Sequence, residues 1–299
     1  MKQTTLRKSY KFSGKGLHTG KICNLEIHPA GEDFGIKFKR TDIGDDALIP
    51  ALATFVTAVT RSTTLENNGA SVITTEHLMS ALSGLGVDNA LVTLDNEELP
   101  ILDGSAKPYV DAILADGLTE QNKEKVFFVV KEPFNYVDGD ASIQVLPSDN
   151  FEAEITIDFH SQVLGIQKAR FIGGKTDYAT QIAPCRTFCF YHEIEALLQM
   201  NLIKGGDLDN ALVVVEKDPS PESIQKFEEL FGLKDIVAKR GYLSHCQPYF
   251  SNECARHKLL DLIGDFALIG YPIKGKIIAS KTGHRINTAA VKQLIELYK

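Results

Sequence analysis

The chain has 299 residues, 43% hydrophobic and 24% charged, enough for one large or two ordinary globular domains with a substantial core. Its formal net charge of −7 argues against a general nucleic-acid binder, which needs a basic face. No apolar run approaches a membrane span, and residues 1–10 lack the apolar stretch of a signal peptide, so a cytoplasmic protein is expected.

In chain order, Cys23, Leu25 and Ile27 alternate with Asn24, Glu26 and His28, a half-buried strand ending at Pro29. Ile36 and Phe38 alternate with Lys37 and Lys39, and residues 89–94 read as a further strand. A helix is expected over 75–85 with a threonine cap, and another over 105–114 with Gly117 beyond it. Residues 119–125 are polar and hold no large apolar side chain, which places a domain boundary near 122 and divides the chain into 1–122 and 123–299. Strands follow at 126–130, 142–146, 153–159 and 167–172. A strand at 187–190, a helix from His192 to about 200, Gly205-Gly206 and a strand at 211–215 form a βαβ insert at about 187–215. Ser220-Pro221-Glu222 starts a helix with Ile224, Phe227 and Phe231 on its face and Gly232 at its end. A helix over 252–266, strands within 267–280 and a last helix from about 287 to 298 complete the chain. No repeat is visible in the sequence. The alternation of strands and helices gives an α+β class: two layered α/β sandwich domains, each a mixed sheet packed with helices.

The helix at 252–266 carries the strongest chemical signal. Leu259, Leu262, Ile263 and Phe266 make one apolar stripe. His257 and Asp261, four apart, share a second face, Asp265 extends that row, and Lys258 lies beside it. Neutral imidazole and carboxylate are both zinc ligands, so one face can supply two donors, and a catalytic zinc needs a third. Among the other histidines, His77 adjoins a carboxylate, Glu76, at a helix N-terminus, where such a group can serve as general base. His18 sits in the glycine-flanked turn Gly16-Leu17-His18-Thr19-Gly20, and His284 follows Gly283 in a turn before the last helix, placed to be protonated and solvent-facing. Five cysteines, an odd number, suggest reduced thiols; Cys185, Cys189 and His245-Cys246 make only a weak thiolate metal site because no Cys-x2-Cys pair exists.

Seven segments in order make the chain resemble the UDP-3-O-acyl-N-acetylglucosamine deacetylases of lipid A biosynthesis. They are Ser13 to Gly20, Thr75-Glu76-His77-Leu78-Met79-Ser80-Ala81-Leu82, Pro100-Ile101-Leu102-Asp103-Gly104-Ser105-Ala106, Arg186-Thr187-Phe188, Gly205-Gly206, Arg256 to Asp265, and Gly283-His284. The resemblance implies an active site between the two domains and one catalytic Zn2+ held by His77, His257 and Asp261, with Fe2+ as an alternative metal in the cell. It implies Glu76 as general base, His284 as its protonated partner oriented by Asp265, and Thr187 and Lys258 at the oxyanion or substrate. An acyl passage would use Phe188, Phe190, Ile194, Leu197, Ile203, Leu208 and Val213. His18 would contact substrate, and Phe159 and Lys281 would lie near the uridine diphosphate. The implied reaction is zinc-dependent removal of the N-acetyl group of a UDP-sugar lipid, with no nucleic-acid partner and no membrane span. The alternatives are a zinc amidohydrolase of another acetylated sugar nucleotide, or a sugar-nucleotide binding protein without catalysis. His160-Ser161-Gln162-Val163 departs from the family pattern, residues 218–247 are longer than expected, and some relatives continue into a hydratase-type domain.

Overall fold

The computed structural model describes residues 1–44, 48–200, 203–232, 234–244 and 247–298, with the side chains of Glu195 and Leu198 outside the description. The first half runs β1 (Lys2–Leu6), β2 (Tyr10–Lys15), β3 (Ile22–Pro29), β4 (Ile36–Arg40), β5 (Leu48–Pro50), β6 (Val56–Ala58), β7 (Thr64–Asn67), β8 (Ala70–Val72), α1 (Glu76–Leu85), β9 (Ala90–Leu94), α2 (Lys107–Asp116) and β10 (Leu118–Glu124). The second runs β11 (Phe128–Val129), β12 (Phe134–Asp138), β13 (Ala141–Leu146), β14 (Phe151–Asp158), β15 (Ile166–Ile172), α3 (Tyr178–Gln181), β16 (Phe188–Phe190), α4 (Ile194–Gln199), β17 (Leu212–Val215), α5 (Pro221–Phe231), β18 (Gly241–Tyr242), α6 (Glu253–Ala267), β19 (Ile273–Ser280) and α7 (His284–Leu297).

The fold is α+β, and its two main sheets share one topology. The first is ordered β2-β3-β9-β4-β5, the second β12-β13-β19-β14-β15. In each, two antiparallel hairpins are bridged by a late strand, parallel to one neighbour and antiparallel to the other. That strand is preceded by one helix (α1 or α6) and followed by another (α2 or α7). Each half also leaves its sheet at the same point, through β6–β8 in the first and the stretch from α3 to β18 in the second. The repeat absent from the sequence is therefore present in the topology.

The equivalent helices α1 and α6 pack against each other. Gly264 makes this possible, because a Cβ there would lie 2.1 Å from the Glu76 carbonyl oxygen. Gly264→Ala is expected to push the helices apart and destabilise the protein by about 1–3 kcal/mol, the usual cost of overpacking. Urea unfolding measures this, and unchanged stability would contradict the close approach.

The structure revises several boundaries. Thr75 precedes α1, but its hydroxyl donates to the Thr63 carbonyl (3.2 Å) rather than capping the helix. The polar stretch 119–125 is mostly β10, paired antiparallel with β1; it is polar because nearly all its side chains are exposed. The strand expected at 126–130 shortens to β11. Within 267–280, turns and a left-handed Gly270 (φ +87°) precede β19. The βαβ insert forms as β16, α4 and β17, with β16 and β17 parallel, and β18 adds a third strand. The last helix starts at His284 rather than near 287.

Candidate metal centre

α6 has no solvated face along its His257/Asp261 row. Leu259, Leu262, Ile263 and Phe266 are buried, and so are His257, Asp261 and Asp265. The close crossing permitted by Gly264 sets the first turn of α1, with Glu76 and His77, against that row.

His77, His257 and Asp261 converge there. One donor atom from each lies within 4.8 Å of the other two. The Asp261 Oδ1 atom is 3.6 Å from His77 Nε2 and 3.5 Å from His257 Nε2. Donors on a tetrahedral zinc with bonds near 2.1 Å stand about 3.4 Å apart. Asp261 Oδ1 is buried and has no hydrogen-bond partner, so an acceptor is left open between two imidazoles. The His257 Nδ1–H donates to the Cys185 carbonyl (3.0 Å), which turns the Nε2 lone pair toward the centre. Burial, with the neighbouring His257, lowers His77 to about 3. Burial also lowers His257, so both rings offer lone pairs at neutral pH. Burial would raise Asp261, but the Lys258 ammonium, bonded to its Oδ2 at 2.8 Å, and the protonated His284 hold it well below the usual carboxylate range. Two neutral imidazoles and an ionised carboxylate fit a divalent cation.

An acid–base pair adjoins this set. Glu76 is buried and accepts from the Thr63 amide (3.0 Å). Burial raises it to about 7, Asp261 and Asp265 push the same way, and His284 opposes. His284 Nε2 lies 3.7 Å from Glu76, while its Nδ1–H donates to Asp265 Oδ2 at 2.9 Å. Burial alone would lower His284, but Asp265 and Glu76 raise it to about 9. His284 is therefore buried, at 7% exposure, and not solvent-facing as its glycine-preceded position suggests. Asp265 also accepts from the Thr63 hydroxyl (2.7 Å) and the Asn287 amide (2.8 Å). Thr63 carries no signal in the sequence and Asn287 is marked there only by lying close to His284; both reach Asp265 through contacts the fold creates.

A cavity of about 150 Å3 lies beside the centre, with Lys258 and His284 on its wall. His18 and Thr187 also line it, as do Phe188, Ile194, Leu197, Ile203, Leu208 and Val213. Phe190 turns instead into the core, against Phe188 and Phe159. Phe159 is exposed beyond the cavity wall, with its ring edge-to-face with Phe188. Lys281 is also outside the wall, where it pairs with Asp140 and Asp158 at 3.2 Å each. Leu17, Arg61, Phe227 and Phe231, unmarked as site residues in the sequence, also reach the cavity.

The glycine segments act as close-approach points. A Cβ on Gly104, whose φ is +79°, would lie 1.8 Å from the Asn210 carbonyl, and the Thr187 amide donates to the Gly104 carbonyl at 2.8 Å. Gly205 meets Gly16 in the same way and donates its amide to Leu17. The buried Glu98 carboxylate accepts from the amides of His18 and Thr19 and the hydroxyls of Thr19 and Thr74, which locks the turn bearing His18. Among the described residues, no other cluster of metal-binding groups is present; His245 and Cys246 lie outside the description. Burial pushes the Cys185 thiol up to about 12, far from the thiolate a metal requires. No described helix is long and apolar enough to cross a membrane.

Two imidazoles and a carboxylate face one point with a carboxylate and a protonated imidazole alongside, a set chemically suited to hold one divalent metal and to move protons beside it. The family model described as UDP-3-O-acyl N-acetylglycosamine deacetylase matches residues 3–231 and 234–296, and the chain belongs to that family. It is 44% identical over 297 residues to a bifunctional LpxC/FabZ enzyme of Bacteroides thetaiotaomicron, covering 98% of this chain and 64% of that protein. It is also similar to the UDP-3-O-acyl-N-acetylglucosamine deacetylases of Saccharophagus degradans (40% identity, 100% of this chain and 91% of that protein) and Myxococcus xanthus (38%, 98% and 86%). The chain spans just under two thirds of the length of the bifunctional relatives it matches.

Proposed function

We propose that the protein hydrolyses the N-acetyl group of UDP-3-O-acyl-N-acetylglucosamine, releasing acetate and UDP-3-O-acyl-glucosamine in an early step of lipid A biosynthesis. One observation carries this reading: Glu76 and His284 flank the His77, His257 and Asp261 donors beside an apolar cavity. His77, His257 and Asp261 would hold one Zn2+, with Fe2+ as the alternative. When bound, the metal supplies a Lewis acid to an unreactive amide carbonyl and acidifies water at neutral pH. Glu76 takes the proton of the attacking water. The Thr187 hydroxyl and Lys258 ammonium stabilise the oxyanion, and Lys258 also holds Asp261 in place. His284, kept protonated by Asp265, gives its Nε2 proton to the departing amine.

The cavity would receive the acyl chain, with Phe188, Ile194, Leu197 and Ile203 along its wall. On the nucleotide side, the exposed Phe159 ring offers a stacking face for uracil, and Lys281 a cation for the diphosphate after exchange with its carboxylate partners. The two-sheet architecture supports a division near residue 122, with the site between the halves. The bifunctional relatives support a fused arrangement in which a second enzymatic part follows this one in the natural protein. A nucleotide-sugar substrate fits a cytoplasmic location.

Acetate release from that substrate, assayed with and without a chelator, tests the reading. Release should stop on chelation and return with zinc; no release from folded, metal-loaded protein would overturn it. The rate should follow a bell in pH. It rises as Glu76 ionises, at or below about 7, and falls as His284 loses its proton, at or below about 9, because a bound dication shifts both limbs downward. His284→Gln should lower the rate and remove the alkaline limb, and a limb that persists would move the acid role to another group.

A further inference from the structure

Residues 218–247 extend the second half beyond what its sheet needs, and α5 lies within them. Its ends are strongly defined: the Ser220 side chain accepts from the Ser223 amide, Pro221 opens the helix, and Gly232 closes it in the left-handed region (φ +64°). α5 is fastened to the turn leading into α4. The Phe227 ring stacks on Tyr191 with centroids 5.1 Å apart, and the Tyr191 hydroxyl bonds Ser223 at its carbonyl and hydroxyl oxygens (3.0 and 3.1 Å). Phe231 packs on Phe227 at 4.6 Å.

Phe227 and Phe231 do more than fill a core, because both border the cavity that His284 and Lys258 border at the metal centre. An apolar chain entering beside Thr187 and passing between α4 and β17 would have this aromatic pair as its boundary. We propose that α5 is the end-stop of the acyl passage, with Phe227 and Phe231 setting the longest chain the enzyme accepts. This rests on the cavity being the acyl site. Each pair of methylenes buried short of the stop should raise kcat/KM by about tenfold. Chains that overrun it must displace a pair held by Tyr191, and their kcat/KM should fall by a similar factor per pair.

The test uses substrates whose acyl chains grow two carbons at a time. For the metal-loaded protein, kcat/KM should climb and then break downward at one length. In Phe227→Ala and Phe231→Ala the break should move to longer chains, and kcat/KM for the first over-long substrate relative to the best wild-type substrate should rise at least tenfold. If Phe227→Ala fails to fold, Phe231→Leu, at a half-buried position, should move the break in the same direction. A break at the same length in the folded variants would overturn the end-stop alone. No deacetylation of any substrate by the wild-type protein would overturn the proposed function, and this inference with it.

Discussion

Replacing Glu76 with glutamine is expected to lower kcat by about 10²- to 10⁴-fold while the protein keeps its metal. The substitution preserves volume and an acceptor for the Thr63 amide, so the loss reports the missing base rather than a collapsed site. Glu76 is poorly placed for stability, because burial raises it to about 7 from the ordinary carboxylate value. A raised carboxyl favours the protonated folded state, so stability falls as pH rises above the unfolded value, and the full cost is present beyond about 7. Metal-free Glu76→Gln should therefore be more stable than the unaltered protein above that pH, by about 1–3 kcal/mol. Kinetics on the metal-loaded enzyme and urea unfolding after metal removal measure the two effects. A variant that is inactive, still binds metal and is more stable when metal-free is a base removed; one that is inactive and less stable when metal-free is a damaged fold.

Helix α6 and the side chains it groups were legible in the sequence because their information is local. The Leu259, Leu262, Ile263 and Phe266 stripe and the His257–Asp261 spacing both follow from helical geometry alone. Glu76-His77 was legible for the same reason, as a helix start. What the sequence hid is tertiary. Thr63 lies 202 residues from Asp265, and only the fold of β6–β8 brings its hydroxyl to that carboxylate. Gly283 looks like a turn, yet it sits directly before α7, which starts with a buried His284 facing α6. The repeat was invisible because a topology constrains where strands pair, not which residues they carry. The two halves also bury unlike groups at the crossing, Glu76 and His77 on α1 against His257, Asp261 and Asp265 on α6. β10 failed as a strand in the sequence because an edge ribbon with exposed faces has no apolar alternation to read.

Zinc added to the metal-free protein is expected to raise its unfolding temperature, and Asp261→Ala to abolish that rise. A ligand at a thousand times its Kd stabilises the folded state by about 4 kcal/mol, which for a chain of this size is roughly 6 °C. The donors are ready for it. Burial keeps His77 and His257 neutral, and Asp261 stays ionised beside Lys258. The donors then release few protons on metal binding, but the dication drives the proton off the neighbouring Glu76, so affinity should rise with pH up to about 7 and change less above it. Asp261 carries two loads in this arrangement. Its Oδ1 is the open acceptor between the imidazoles, and its Oδ2 faces Lys258 at 2.8 Å and His284 at 4.0 Å. Deleting the carboxylate removes one unsatisfied oxygen but strips two neighbouring cations of a counter-charge, and the second effect is the larger. Asp261→Ala should therefore unfold at a lower temperature than the parent even without metal, and the gap should widen when zinc is added. His257→Ala should lose the zinc-induced rise but keep the Asp261–Lys258 pair, so its metal-free deficit should be the smaller of the two. An undiminished zinc response in both variants would remove α6 from the metal site.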